Sequence, residues 1–225
     1  MKHVGVNVAA DPIFTAAYTG VNAGLVVVCA DDPAMHSSQN EQDSRYYARA
    51  AHIPMLEPSD SRECHAFTRL AFTMSEELDT PVFLRLTTRV AHARSVVAIG
   101  ERADVPLPIN VIKMRDTSIG IITSGVCYEY VRDAMPHAST LKLGMVYPLP
   151  MKLIREFAQK VDRLIVVEEL EGLIEREVLA AGIPCEGKNL TGIQGELSVE
   201  KLRSVLLGAE MPKGEDASIP ARPPV

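Results

Sequence analysis

The chain has no tryptophan, and aromatic residues fill only 5% of its 225 positions. Its four cysteines, Cys29, Cys64, Cys127 and Cys185, stand far apart with no C-x-x-C pair, so spacing supports neither a disulfide framework nor a zinc or iron–sulfur site. Thiols scattered in this way are small buried hydrophobes of a reducing compartment. The longest strongly apolar run is about residues 25–30, whereas a spanning helix needs roughly 20. No G-x-G-x-x-G occurs, and the GKN at 187–189 lacks the upstream glycine and following hydroxyl of a phosphate loop. Positive charge is also short: 23 Lys and Arg against 29 Asp and Glu leave −6, with no global field to collect nucleic acid or anionic lipid. Lys2 and His3 are followed too soon by Asn7 and Asp11 for a signal-peptide core. The expectation is a cytoplasmic protein that engages neither nucleic acid nor membrane.

What is present is an ordinary α/β composition, 47% hydrophobic and 23% charged, which is too apolar for a disordered chain. Strand and helix signals alternate in two blocks, the pattern of parallel sheets with crossover helices. In the first block, Val8, Ala9, Phe14, Ala17 and Tyr18 predict a helix. Residues 25–30 predict a buried strand, 54–57 a short one and 81–88 another, with a helix from Ser59 whose apolar face is Cys64, Phe67, Leu70, Ala71, Met74 and Leu78. The second block predicts strands at 119–123, 141–145 and 164–167, with an edge strand at 185–190. Its helices are expected at 126–135, through Leu153, Ile154, Phe157 and Val161, at 172–181, and after Ser198 through Leu202, Val205 and Leu206. The domains expected are 1–95 and 111–208, joined by a linker at 96–110 and followed by a Pro-rich tail at 209–225. Both ends suggest a fragment: helix begins after three residues, and the tail closes as if another domain followed.

The polar loop 31–43 directly follows a buried strand, where open α/β sheets place their ligands. Asp31, Asp32, His36, Ser37, Ser38, Gln39 and Asn40 are its candidate site residues, since a histidine among hydroxyls and amides can orient a polar ligand. Lys2, His3 and Asn7 form a second candidate group at the mouth of a helix; a frayed terminus is the alternative. Ser124 has no base spaced to activate it and reads as a helix cap. Glu168, Glu169 and Glu171 could supply a base or metal ligand, although adjacent carboxylates usually form a solvated turn or subunit contact. His52, His65, His92 and His137 read as surface or partly buried side chains without metal partners.

Particular strings narrow the reading further. MKHVGVNVAADP, AYTGVNAGLVVV, ADDPAMHSSQNEQDSRYYAR, IPMLEPSD and PVFLRLTTR, followed by IITSGVCYEYV and VVEEL, occur in order through about Leu207. Together they closely resemble the large subunits of the indolepyruvate:ferredoxin oxidoreductases, members of the thiamine diphosphate-dependent 2-oxoacid:ferredoxin oxidoreductases. The resemblance implies part of a pyrimidine-binding thiamine diphosphate domain, then a three-layer α/β domain similar to the transketolase C-terminal domain. It also implies oxidative decarboxylation of an aryl 2-oxoacid, chiefly indolepyruvate, with coenzyme A and ferredoxin, in an oligomer that includes a small subunit. Loop 31–43 then corresponds to the segment facing thiazolium and substrate. Relatives acting on pyruvate carry an arginine there. Here Ala30, Asp31 and Asp32 stand in the matching stretch, leaving carboxylate recognition to Arg45 or another group. The family's catalytic glutamate matches a position upstream of Met1, so no catalytic residue is assigned in this chain. The Cys-Pro-Gly-Cys stretch, the diphosphate and Mg2+ domain and the 4Fe-4S module match positions beyond Val225. The chain is therefore expected to be inactive alone, with no cofactor bound to it alone and with the other segments of the large subunit as partners. The alternative is a non-catalytic assembly subunit of such a complex.

Overall fold

The computed structural model describes residues 1–97 and 108–209. Most of the expected linker at 96–110, and the expected tail from 210 onward, lie outside the described residues. Helices α1 (His3–Val8) and α2 (Ala10–Thr19) lead into β1 (Val26–Asp31). Loop 31–43, with a 3-10 turn at Pro33–Met35, connects to α3 (Arg45–Ala51) and to β2 (Met55–Leu56). Helix α4 (Ser61–Leu78) precedes β3 (Val82–Thr87) and α5 (Thr88–His92). The order then runs β4 (Val111–Lys113), β5 (Asp116–Ser124), α6 (Cys127–Ala134), β6 (Ala138–Leu143), β7 (Met145–Tyr147), α7 (Met151–Ala158) and β8 (Arg163–Val167). Helices α8 (Leu173–Ala180), α9 (Lys188–Thr191) and α10 (Val199–Leu207) complete the described elements.

Two four-stranded sheets result, in the orders β1-β3-β2-β7 and β4-β6-β5-β8. β1 and β2 flank β3 in parallel, and β6 and β8 flank β5 in parallel, as the alternating pattern requires. β7 pairs antiparallel with β2, so a strand of the second block extends the sheet of the first. The stretch expected as one strand at 141–145 is therefore two, parted at Gly144. A Cβ there would lie 2.1 Å from the Ile109 carbonyl oxygen, so only glycine lets the chain pass between sheets. The largest apolar cluster includes Phe83 and Met55 of the first sheet and Ile122, Leu141 and Val166 of the second, all buried.

Helix α4 illustrates why these elements form where they do. Asp60, rather than Ser59, is its cap: Oδ1 accepts from the Glu63 amide at 2.7 Å, and Glu63 Oε2 accepts from the Ser59 amide and hydroxyl at 2.9 and 2.8 Å. Phe67, Ala71 and Ser75, at four-residue steps, form its buried line. The strand expected at 185–190 is a correction. Only Glu186 bridges to Ile165, and the chain then turns into α9, because Asn189 Oδ1 accepts from the Gly187 amide at 2.8 Å and starts a helical turn. Among the described residues, no helix is long and apolar enough to cross a membrane.

Candidate functional site

The carboxyl ends of the strands of both sheets converge on one buried polar region. Asp31 ends β1, Glu57 follows β2, Arg85 lies within β3, Ser124 ends β5, and Glu168 and Glu169 follow β8. Gly125, at φ +52, brings the two blocks into close approach, since a Cβ on it would lie 2.3 Å from Glu57 Oε1. Ser124 is buried, and the N-cap position of α6 is Val126 with no side-chain cap, so Ser124 is not the helix cap expected.

Two arginines organise this region. Arg45 Nε and NH2 donate to Asp43 at 2.9 and 2.6 Å, and NH1 donates to Glu168 Oε2 at 2.5 Å. The same NH2 reaches the carbonyls of Glu169 and Glu171 at 2.9 and 2.8 Å. Arg85 Nε donates to Asp31 Oδ2 at 2.6 Å, and its NH1 lies 2.8 Å from Glu57 Oε1 in an ion pair without hydrogen-bond alignment. Its NH2 lies 3.9 Å from Asp43 Oδ1. These charges are all buried. A buried pair roughly breaks even against apolar packing, whereas one left unpaired costs several kcal/mol, so the network fixes the mutual placement of the elements more than it adds stability.

The carboxylates titrate in opposite directions. Burial opposes ionisation of Asp43, but the Arg45 charge and hydrogen bonds together with Arg85 hold it below the usual range. Burial wins at Glu168 and raises it, despite Arg45 and the amides of Ile174 and Glu175 at 3.0 and 2.9 Å. Those two amides show why Glu168 is inside: it caps the start of α8. Glu169 is pushed up to about 7 by burial, against the pull of the Leu197 amide and Lys188. The solvated turn expected at 168–171 is thus a buried carboxylate pair, with only Glu171 partly open. Leu170, between Glu169 and Glu171, is itself buried and has φ +59, a strained left-handed backbone.

Loop 31–43 is built on its first two residues. Asp31 accepts from the Ser44 amide at 3.0 Å and hydroxyl at 2.5 Å, closing the loop at its far end. Asp32 accepts from the amides of His36 and Ser37 at 3.2 and 2.9 Å and from the hydroxyls of Ser38 and Thr88, each at 2.7 Å. Burial works against the Asp32 charge, but these bonds outweigh it and hold the carboxyl far below its ordinary range. Inside this frame Ala34 and Met35 take φ +64 and +52, which side chains avoid and which Asp32 and a Glu41 contact to the Ala34 amide sustain. The strained pair turns His36, Ser37, Gln39 and Asn40 outward.

Lys2 joins the same group, with Nζ 2.9 Å from the Ser37 carbonyl and 3.8 Å from Asp32 Oδ2. Asn7 instead accepts from the Tyr47 hydroxyl at 2.6 Å. His3 is buried, and neither ring nitrogen has a hydrogen-bond partner on the protein. His36 Nε2 lies 3.2 Å from Glu196 Oε2, and Arg89 grips the same carboxylate through Nε and NH2 at 2.6 and 2.7 Å. His52, His65, His92 and His137 are exposed. Among the described residues no three His, Cys, Asp or Glu side chains are placed to hold a metal ion, and burial raises all four thiols. This donor set does not fit magnesium or an iron–sulfur cluster.

Arg85, Arg89, Glu57 and Glu196 were not legible as site residues. A sequence signal existed for Arg85: a lone charge inside the apolar run at 81–88 must be buried with a partner. Nothing marked Arg89 or Glu196, which meet across 107 positions.

Comparison with known proteins agrees with this architecture. Residues 110–183 match the family described as Indolepyruvate oxidoreductase domain. The chain is 43% identical to indolepyruvate oxidoreductase subunit IorA of Methanothermobacter thermautotrophicus over 80% of its own length and 36% of the relative's. It is 35% identical to the Pyrococcus abyssi subunit over its whole length and 45% of that protein. The chain thus spans less than half of each of these relatives. Among solved structures, 2-oxoglutarate:ferredoxin oxidoreductase from Magnetococcus marinus superposes with TM-score 0.73 at 13% identity, covering 92% of this chain and 52% of that one. A split-gene transketolase, an inactive beta4 tetramer, superposes with TM-score 0.59 at 19% identity, covering 89% and 72%. These two share the fold, a thiamine-type domain followed by a transketolase C-terminal-like domain. On the sequence matches, residues 110–183 carry the indolepyruvate oxidoreductase domain, and the chain as a whole is similar to part of the IorA subunits.

Proposed function

We propose that this chain forms the segment of a thiamine diphosphate-dependent indolepyruvate:ferredoxin oxidoreductase that presents loop 31–43 to cofactor and substrate. The observation that carries this reading is the 43% identity to an IorA subunit across 80% of the chain. The reaction is oxidative decarboxylation of an aryl 2-oxoacid to its acyl-CoA, with electrons passing to ferredoxin in the cytoplasm. Thiamine diphosphate, when bound, supplies the nucleophilic carbon and holds the electrons left as carbon dioxide departs. Magnesium and the 4Fe-4S clusters belong to other segments of the large subunit, and a small subunit completes an oligomer.

The chain's own residues bind and orient. His36, Ser37, Gln39 and Asn40, with Lys2, offer donors and acceptors on the open side of the loop. Asp31, Asp32 and Ser38 hold that loop in its strained shape, so they position rather than contact. Asn7 is engaged by the Tyr47 hydroxyl, and the two orphaned nitrogens of the buried His3 suit a polar group brought against α1. Arg45, the carboxylate-binding candidate of the sequence, spends its donors on Asp43, Glu168 and two carbonyls and serves the scaffold.

The test is complementation. Supplying the remaining segments of the large subunit in trans restores thiamine diphosphate binding, measured by calorimetry, and His36→Ala in the full enzyme lowers turnover or aryl 2-oxoacid affinity about tenfold. Unchanged kinetics would return the loop to a surface role. A second reading, an assembly subunit that never meets the cofactor, is favoured by the fold shared with the inactive transketolase tetramer. It predicts oligomers without any gain of cofactor binding.

A further inference from the structure

Glu196 lies on the connection between α9 and α10 and reaches across to the first block. Its carboxylate is held side-on by the Arg89 guanidinium, 2.6 and 2.7 Å from Nε and NH2, while His36 Nε2 approaches Oε2 at 3.2 Å. A planar fork plus a ring nitrogen is the geometry that recognises a carboxylate of any origin. Arg89 follows β3 and His36 follows β1, so the pair stands at the strand ends where α/β sheets bind ligands. Met35 is exposed beside His36. Apolar surface therefore adjoins the carboxylate grip.

The tether of Glu196 is suited to release. Gly192 and Gly195 have φ +74 and +78 with open space around them, so the segment can pivot where side-chain-bearing residues could not. Its inner anchor is the Leu197 amide on Glu169 at 3.1 Å, and the Ser198 cap fixes the start of α10. The Arg89 side chain is 60% exposed and that of Glu196 14%, so water reaches the pair from the arginine side and screens it enough to exchange.

We propose that Arg89 and His36 form a carboxylate-binding site for the 2-oxoacid, and that Glu196 occupies it as an internal competitor until substrate arrives. This rests on the functional reading above and supplies the carboxylate grip that Arg45 cannot provide. No covalent step is involved: one carboxylate replaces another.

The test is calorimetric titration of the chain with indole-3-acetate, a stable aryl carboxylate, and with acetate. A tethered competitor acts at an effective concentration in the millimolar range, so Glu196→Gln binds indole-3-acetate roughly tenfold tighter than the parent chain. Arg89→Gln and the double variant lose saturable binding, with circular dichroism and thermal unfolding reporting that each remains folded. Equal binding by the parent and Glu196→Gln, binding by the double variant, or none by any variant would overturn the site. If Glu196→Gln takes acetate as tightly as indole-3-acetate, with both lost in Arg89→Gln, the carboxylate site stands and the aryl-substrate reading fails.

Discussion

Arg85 and Arg89 are one helical turn apart in sequence and face opposite circumstances. Arg85 is fully buried, with Asp31 and Glu57 fixed around it, and Arg45 beside it is equally enclosed. Arg89 stands largely in water and holds a single carboxylate carried on a glycine-flanked segment. The same side chain thus does two jobs. Where the guanidinium is desolvated and enclosed by carboxylates, the arginine fixes how the two blocks meet; where the fork is open, it remains available to another carboxylate.

Substitution sharpens this contrast most at Arg45. Arg45→Ala strands Asp43 and Glu168 inside and costs about 3–5 kcal/mol in urea unfolding. A loss below about 1 kcal/mol would mean that water already reaches the network.

Next in size is Glu169. Its folded carboxyl keeps its proton up to about pH 7, whereas the unfolded chain releases it near 4.5. Between these values the folded state binds more protons, so the Glu169 contribution to stability falls as pH rises through that window and stays low above it. Glu169→Gln accordingly gains on the order of 3 kcal/mol over the parent at pH 8 and nothing at pH 4. A gain independent of pH would contradict the assignment.

Asp60→Ala, outside the charged network, supplies a neutral reference: losing the α4 cap costs about 1 kcal/mol. Arg89→Ala is expected to cost least, roughly 0–1 kcal/mol, because its pair is solvent-screened. If Arg89→Ala destabilised the chain as much as Arg45→Ala, the distinction between scaffold and binding arginine would collapse.

Much of the scaffold was legible in the sequence for the reason that local periodicity dictates it. Cys64, Phe67, Ala71 and Met74 announce α4, and the valine-rich run at 25–30 announces β1. The loop at 31–43 was legible as a candidate site because it follows that strand. What escaped was long-range or electrostatic. β7 pairs with β2 across some 90 positions, which no window detects. Glu168 looked solvated because three acids adjoin, yet it is called inside by Arg45 and by the first amides of α8. The strand expected at 185–190 failed because Asn189 closes a turn on Gly187, a local hydrogen bond that overrides β propensity.

The most direct test of the account is indolepyruvate-dependent reduction of a viologen dye by this chain reassembled with the remaining large-subunit segments and the small subunit. The account predicts turnover only when all are present, lowered about tenfold by His36→Ala in this chain. Turnover by the other segments without this chain, or by this chain alone, would contradict it.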